Sequence, residues 1–516
     1  MANLVPTLQL SMELIRVLAD IEYNGIKIDD KALSDIREQY NQELTDLQAF
    51  LNKKTSELMG DTPINLDSPD DRSILFFSMR VVDKKEWAKE FNIGYELRGN
   101  TKKKKRKTNY DDINDFYHAV NALARPVFKT VSKLCHNCEG TGKYHYKKKD
   151  GTYSKVKRNC KTCNAKGRLF TDTKERAGLR LIPRNSVDTS ATGFKTDKTT
   201  LEEFITSINP SQREFLEKYV RYSAIRTYLR TFVDGIQRSK DENNFIHPQY
   251  MQCVTSTGRL SSRNPNFQNM PRGGTFPVRK CIVSRWEGGK ILEGDYSQLE
   301  FRVAGFLSDD EQIYADVKNK VDVHSFTAKI LGVSRQVAKA DTFKPLYGGV
   351  LGTPKQMQYY RAFKEKYSGV TRWHRDLINQ ALETRHVVLP SGRMYYFPNT
   401  ERMPSGSVSN ATAIKNYPVQ GFATADLLPI ALIYLKKLLT NRKLKTIVCN
   451  TVHDSIVLDV YPSEEDIAIE TLKDAMLILP QETIRRYGVE YDMPIGIELK
   501  MGNNWLETEE VYKTDD

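Results

Sequence analysis

The stretch Ile291 to Arg302, ILEGDYSQLEFR, limits most tightly what this chain can fold into. A short apolar run, Ile291-Leu292, passes through Glu293-Gly294 into Asp295, and a segment rich in helix formers follows. The pattern reads as a buried strand that ends at a carboxylate and turns into a helix. Such an arrangement can hold a metal ion at a sheet edge. A strand-end Asp is ordinarily only a turn or cap residue, however, and one carboxylate cannot do metal chemistry alone. The functional reading therefore depends on partners elsewhere in the chain.

At 516 residues the chain is too long for a single compact core. No run of apolar residues is long enough for a helical membrane span. The opening MANLVPTLQLSMELIRVLAD lacks a basic leader and a small-residue cleavage site, and Glu13 and Asp20 interrupt it. It reads as an amphipathic helix and not as a signal peptide, so an intracellular, cytoplasmic protein is expected. The formal net charge of +13 favours a polyanionic partner. Cys253, Cys281 and Cys449 are scattered and read as reduced thiols.

Leu10, Leu14, Ile15, Leu18 and Ile21 fall at helical spacing, and Lys31 to Met59 reads as one long polar helix with Leu33, Ile36, Tyr40, Leu44, Leu47 and Leu51 as its stripe. At about residue 98 the composition turns basic: Arg98 and the run Lys102 to Lys107 suit a solvated loop, a phosphate contact or a nuclear localisation signal. Cys135-x-x-Cys138 and Cys160-x-x-Cys163 then flank a lysine-rich hairpin, Tyr144 to Arg158. Two CxxC pairs fit one structural zinc ion held by four thiolates, with redox pairs as the alternative. The CxxCxGxG form resembles zinc knuckles of J-domain chaperones, without carrying over their function. Between Leu201 and Arg238 helical periodicity returns, with Arg221, Tyr222, Arg226, Tyr228 and Arg230 interleaved as an exposed face or a backbone grip.

Thr255 to Pro271, TSTGRLSSRNPNFQNMP, reads as loop, and its Arg259, Arg263, Asn266, Gln268 and Asn269 offer donors to phosphates and the minor groove. Arg335, Lys339 and Phe343 lie along one helix face, which is either a surface pattern or a seat for a triphosphate and a base. Leu346 to Gly349 is expected to end that helix, and Gln420 is expected near the start of another. Ile447 to Val452 and Ile456 to Val460 read as strands joined at His453-Asp454-Ser455. Asp454 at the tip is an ordinary turn former unless it shares a sheet with Asp295. In that case it is the second carboxylate that two metal ions need.

Together these pieces resemble the polymerase region of family A (Pol I-like) DNA polymerases. DYSQLEFR at Asp295 to Arg302 looks like motif A, RQVAKADTFKPLYGG at Arg335 to Gly349 like motif B, and VHD at Val452 to Asp454 like motif C. TSTGRLSSRNPNFQNMP, VDVH at Val321 to His324, NYPVQG at Asn416 to Gly421 and MELIRVLADIEYNGIKID match in the family's order. The resemblance implies an α+β right-hand polymerase fold, with an antiparallel palm sheet, helical fingers and thumb, and an inserted four-cysteine zinc module. The expected division is 1–98 for an N-terminal segment and the first part of the thumb, and 99–170 for the basic insertion. The second part of the thumb follows at 171–240, then palm at 241–304, fingers at 305–404 and palm again at 405–516. Asp295 and Asp454 would bind two Mg2+ ions, with the Tyr296 carbonyl completing a shell. Arg335, Lys339, His324 and Gln298 would hold the incoming dNTP. Phe343 and Tyr347 would bracket the nascent pair, and Glu300 would exclude a ribose 2′-hydroxyl. Arg259, Asn266, Gln268, Asn269, Asn416, Gln420 and His453 would contact primer-template DNA.

The chain departs from the family at Ser455, where a Glu is frequent, and at Lys344-Pro345, where a proline should kink or end the fingers helix. Phe343 stands where Phe disfavours dideoxynucleotides. The chain begins where the family's polymerase domain begins, so no proofreading is expected within it. A phage-type replicative enzyme follows, with a separate exonuclease or processivity factor as a possible partner. The competing readings are a single-subunit RNA polymerase, which Glu300 opposes, and a non-catalytic DNA-binding protein, which the retained Asp295, Asp454, Arg335 and Lys339 oppose.

Overall fold

The computed structural model describes residues 5–98, 101–149, 151–349, 352–404 and 406–514. The chain divides into two compact units, one of Met1–Glu38 with Tyr228–Asp516 and one of Gln39–Thr227. The first helix, α1 (Val5–Asn24), buries Leu10, Leu14, Val17, Leu18 and Ile21. Ile15, expected on that stripe, is exposed, and Val17 takes the buried position instead. α2 (Asp30–Met59) is the long helix expected, started by the Asp29 carboxylate, which accepts from the Ala32 N–H.

In the second unit a core of Leu51, Phe76, Trp87, Phe116, Phe194 and Leu216 is built largely from rings, such as Phe91 against Phe116 at 5.8 Å. The helix α3 (Ile113–Leu123) belongs to this core through Phe116 and Val120. Of the stretch 99–170, therefore, residues 113–123 pack with the rest of the unit. The cysteine module proper is a double ribbon. β1 (Phe128–Leu134) pairs with β4 (Arg168–Arg176), and between them β2 (Lys143–Lys147) pairs with β3 (Tyr153–Asn159), all antiparallel. In the basic run, Lys107 is tied down by carbonyls, donating to Ser186 O at 3.2 Å and Val187 O at 3.0 Å, so it holds a loop and is not free for phosphate. The side chains of Arg98, Lys102 and Lys103 lie outside those described.

The expected single helix over 201–238 is broken into Lys198–Ile205, α4 (Pro210–Tyr228), a π-helical turn at Leu229–Val233 and a last turn at Asp234–Ser239. Pro210 opens a new helix because its missing N–H costs nothing in a first turn. Several of the basic and aromatic residues of this stretch are engaged within the unit, whereas Arg230 is exposed. Arg221 makes a two-pronged bond to Glu43 at 2.7 and 2.8 Å, Arg226 is bonded to Asp67, and Tyr222 and Tyr228 are buried.

The first unit is organised on a five-stranded antiparallel sheet. β5 (Lys290–Tyr296) lies at its centre. On one side comes β7 (Ser455–Val460) and then β6 (Ile447–Val452), and on the other β8 (Ile497–Gly502) and then β9 (Glu509–Lys513). β7 is buried along its whole length, which is why SIVLDV reads as a nearly unbroken apolar run. Its one charge, Asp459, is held by Ser284 at 2.6 Å and Arg285 at 2.8 Å. Helices follow: α5 (Leu299–Ser308), α6 (Val323–Leu331), α7 (Arg335–Thr342), α8 (Ala411–Gly421), α9 (Leu428–Asn441) and α10 (Glu465–Leu477). α7 ends at Thr342, earlier than the expected Leu346 to Gly349, because Pro345 brings no N–H and its ring would crowd the carbonyl of Asp341. Gln420 comes near the end of α8, not near the start of a helix. Pro418 lies inside that helix, and the chain then runs through a π-helical stretch, Phe422–Leu427, into α9.

Alternation along β5 gives the sheet two different faces. Leu292, Gly294 and Tyr296 face α10, where the Tyr296 hydroxyl donates to Met476 O at 2.8 Å. A Cβ on Gly294 would come within 2.6 Å of Met476 Sδ and 2.8 Å of Leu499 Cδ2, so the helix approaches the sheet only because this residue is glycine. Gly294→Ala is expected to destabilise the folded chain by about 1–3 kcal/mol, read from urea unfolding, because the overpacked helix must shift.

Candidate active site

The opposite face of β5 carries Glu293 and Asp295. The antiparallel register sets Asp295 beside Ser455, so the tip of the β6–β7 hairpin and its Asp454 arrive at the same sheet end. A hydrogen bond from the Tyr296 N–H to Asp454 O at 3.3 Å closes the junction. His453 takes a φ of 57° in the two-residue turn that joins the strands. Burial, and next the Asp454 charge, push the Asp295 carboxyl up to about 7. Burial likewise raises Asp454, against the opposing charge of Arg272. Arg272 sits on Asp295 at 3.3 Å, and the Arg259 charge also acts on Asp454. Hard carboxylate oxygens at a half-open sheet end fit Mg2+, and Asp295 and Asp454 are the carboxylates that could hold it.

Between strand and helix, Gln298 adopts the left-handed region at φ 53° and accepts from the N–H groups of Phe301 and Arg302, which turns the chain sharply into α5. On α5, Glu300 is bonded by both the Arg259 guanidinium and the Tyr347 hydroxyl. Burial raises the Glu300 carboxyl, and Arg259 counteracts it. Asp322 starts α6 by accepting from the His324 N–H at 3.1 Å, and the same carboxylate receives Arg335 in a two-pronged bond of 2.6 and 3.3 Å. The arginine holds the Asp322 carboxyl well below the usual carboxylate range. The Thr342 hydroxyl bridges Ala338 O at 2.9 Å and His324 Nδ1 at 3.0 Å. Phe343 packs on Phe301 at 5.7 Å and on His324 at 5.3 Å. Arg335 and Lys339 remain exposed along α7.

The stretch 255–271 is more ordered than a loop. It contains a strand, Ser261–Arg263, paired with Gln249–Met251, and a short 3-10 turn, Phe267–Asn269, capped by Asn266. Gln268 is buried, whereas Asn266 and Asn269 are exposed. Asn416 is half-buried with its Oδ1 lacking a hydrogen-bond partner, Gln420 is half-buried, and His453 is exposed on the hairpin. Gly421 is compulsory: a Cβ would sit 1.7 Å from the Tyr395 hydroxyl, which donates to Thr257 O at 2.8 Å.

A sequence model described as DNA polymerase family A matches residues 168–507. The chain belongs to DNA polymerase family A. Among curated relatives of this family A chain, DNA polymerase I of Lactococcus lactis subsp. cremoris is 32% identical over 340 residues, covering 61% of the chain and 37% of the relative. DNA polymerase I of Caldicellulosiruptor bescii is 29% identical over 341 residues, covering 61% and 38%. The chain therefore spans little more than a third of the length of these relatives. Among solved structures, the POL domain of Pol1 from M. smegmatis, in complex with DNA primer-template and dNTP, matches with a TM-score of 0.64 at 20% identity, covering 96% of this chain and 70% of that one. The fold is that of a Pol I polymerase domain. Among the described residues no helix is long and apolar enough to cross a membrane.

The matched range of the family A chain begins at Arg168, after both CxxC pairs. There Cys135, Cys138, Cys160 and Cys163 are buried with their sulfurs within 4.8 Å of one another. Cys135 Sγ to Cys160 Sγ is 3.8 Å and Cys138 Sγ to Cys163 Sγ is 3.6 Å. Sulfurs each about 2.3 Å from one zinc ion, in a tetrahedron, stand about 3.8 Å apart, whereas a disulfide requires about 2.05 Å. The knuckle glycines are set by close approach: a Cβ on Gly142 would lie 2.3 Å from Ala165 O, and one on Gly167 2.2 Å from Gly140 O.

Sequence reasoning missed three residues of the site: Glu293, Arg272 and Asp322. Glu293 is diagonal to Ser455 across β5 and β7 and accepts its hydroxyl at 3.0 Å. A carboxylate is thus present beside Asp295 although position 455 supplies none, with buried Arg279 at 3.6 Å. Its i, i+2 spacing to Asp295 on a strand was the available signal. Asp322 was within the VDVH match and is the partner of Arg335.

Beyond α7, the turn containing Pro345 and Leu346 is underpinned by buried His374, which bonds the Leu346 backbone. Burial lowers its imidazole from 6.5 to about 3. Between those values the unfolded chain binds the proton and the folded chain does not, so stability falls as pH drops through that interval. His374→Leu is expected to remove up to about 1.4 kcal/mol of destabilisation per pH unit below 6.5, measured as a flatter acid limb of the stability–pH curve.

Proposed function

We propose that the chain is a template-directed DNA polymerase that extends a primer 3′ end with dNTPs by two-metal-ion nucleotidyl transfer. The observation that carries this reading is the shared end of β5 and the β6–β7 hairpin, where Asp295 and Asp454 meet. Family membership supports it, as does the solved POL domain in complex with DNA primer-template and dNTP. Two Mg2+ ions on Asp295, Asp454 and the Tyr296 carbonyl would supply the charge that acidifies the primer hydroxyl and supports the leaving pyrophosphate. Arg335 and Lys339 on α7 bind the triphosphate, Arg335 exchanging Asp322 for phosphate. His324 and Gln298 orient the same group. Tyr347 and Phe343 bound the base pair, while Glu300, fixed by Arg259 and Tyr347, takes the space a 2′-hydroxyl would need. Glu293 orients Ser455 and adds negative charge beside the metals. Arg259, Asn266, Gln268, Asn269, Asn416, Gln420 and His453 contact the primer-template.

Within this proposal, residues 1–98 and 171–240 serve as the N-terminal segment and thumb, 241–304 and 405–516 as palm, and 305–404 as fingers. A bacterial or phage-infected cytoplasm is the proposed setting and phage replication the proposed role; the relatives named above are bacterial. A separate exonuclease or processivity factor is the proposed protein partner. Glu300 in the grip of two side chains opposes the RNA polymerase reading, which comparison of dNTP with rNTP incorporation tests. Asp295→Ala and Asp454→Ala are each expected to slow primer extension by on the order of 10³-fold, the equivalent of about 4 kcal/mol of lost charge stabilisation. Glu293→Gln should cost far less, about tenfold (1.4 kcal/mol). Normal extension by either Asp variant would end the two-metal assignment and favour a non-catalytic DNA-binding role.

We also propose one structural Zn2+ on Cys135, Cys138, Cys160 and Cys163, supported by the sulfur spacing and by four closed positions with none left for substrate. Metal analysis is expected to give one zinc per chain. Removal of zinc by a zinc-selective chelator, with Mg2+ kept in excess, should open residues 128–176 to trypsin while single-nucleotide insertion persists. Protection unchanged after chelation would remove zinc from the account.

A further inference from the structure

The β2–β3 ribbon has one face that packs on the cysteine cluster and one that carries lysines, where His145 Nδ1 lies 2.6 Å from Ser154 O. On the inner face Tyr144 packs against the cysteine cluster and Arg158 stacks over Tyr146 at 3.6 Å. The alternation of strand residues puts Lys143, Lys147, Lys155 and Lys157 on the other face, with Lys148 and Lys149 at the turn, and all six are exposed. Between Lys143 and Asn159 the sequence contains a single acid, Asp150. Among the described residues none of these ammonium groups is paired with a carboxylate. Elsewhere lysines find acids: Lys280 with Glu507, Lys290 with Glu465, Lys436 with Asp20.

Like charges side by side on a ribbon repel and weaken it. Nothing in the fold requires lysine at these positions, because packing and the cysteine cluster act from the opposite face. This patch of lysines, running about 13 Å from Lys143 to Lys147 along β2 with Lys155 and Lys157 on the adjacent β3, matches a dense line of negative charge. Duplex DNA is such a line, with one phosphate charge per about 1.7 Å of axis.

We propose that the β2–β3 ribbon is a second, sequence-independent DNA-binding site that lies its lysine face along the phosphate backbone of a duplex. The proposal takes its ligand from the polymerase reading above. Because ribbon and polymerase site share one chain, a duplex held by one stays at high effective concentration for the other. The ribbon therefore lengthens each binding event without touching the chemistry.

The test uses the full chain with Lys143, Lys147, Lys155 and Lys157 all replaced by Gln, and a second variant with all four replaced by Arg. Affinity for a duplex and for a single strand of equal length is measured between about 50 and 200 mM salt. The Gln variant should lose about 0.9 from the log–log salt slope for every lysine that touches a phosphate, roughly 3.6 if all four do. It should make shorter products per binding event at an unchanged rate of single-nucleotide insertion. The Arg variant should keep both the slope and the product length, which separates lost charge from lost folding. An unchanged duplex slope in the Gln variant, or a loss confined to the single strand, overturns the proposal. Absence of nucleotide insertion by the parent chain would instead overturn the polymerase reading and leave the binding slopes to be judged on their own.

Discussion

The pairing of β5 with β7 is the interaction on which the rest of the site depends. It brings together two carboxylates far apart in the chain and locks them through the bond from the Tyr296 N–H to Asp454 O. Two acids so placed in a largely buried sheet end oppose each other's ionisation. The arrangement persists because the other face of the same strand is tightly packed, Gly294 admitting α10 and Tyr296 anchoring to it. The stability of that face offsets the strain of the acidic one.

Around this centre the charged groups are already engaged with one another. Arg272 lies on Asp295, Arg259 on Glu300, and Arg335 on Asp322. Each cation is thus held in place before a ligand arrives, which lowers the ordering cost of binding. On the proposed polymerase reading, ligand phosphates and metal ions would exchange with partners of like charge, so the site would pass between two compensated states. Glu293 extends the same logic. With Ser455 at the hairpin, a carboxylate from the adjacent strand stands beside Asp295, close in space but carried by a different part of the chain.

The cysteine module follows a different principle. Its ribbons are too short and too exposed to fold on apolar burial, and the convergence of four sulfurs takes the place of a core. Freed from packing, the outer face of the β2–β3 ribbon can carry unpaired charge that a core-bound element could not tolerate.

Much of this was legible in order along the chain. The strand–turn–helix at Asp295, the hairpin at Asp454, the long helix α2 and the four-cysteine pattern all follow from local periodicity and turn chemistry, and the structure has each of them. The end of α7 was also legible, since a proline acts on its own neighbourhood, although the helix stops before it. What local pattern could not give was partnership. Arg221 and Arg226 read as a possible grip for nucleic acid, and only tertiary structure supplied Glu43 and Asp67 to neutralise them. Lys107 read as part of a free basic run until three carbonyls enclosed it. Glu293 looked like an ordinary strand residue, and Asp322 was only one position of the VDVH match. The sequence by itself determined which residues could carry chemistry, because residue type and short-range spacing set strands, turns and metal-ligand pairs. The tertiary structure alone decided which of those charges meet, because an ion pair or a shared sheet end depends on distance in space, which short-range pattern does not encode.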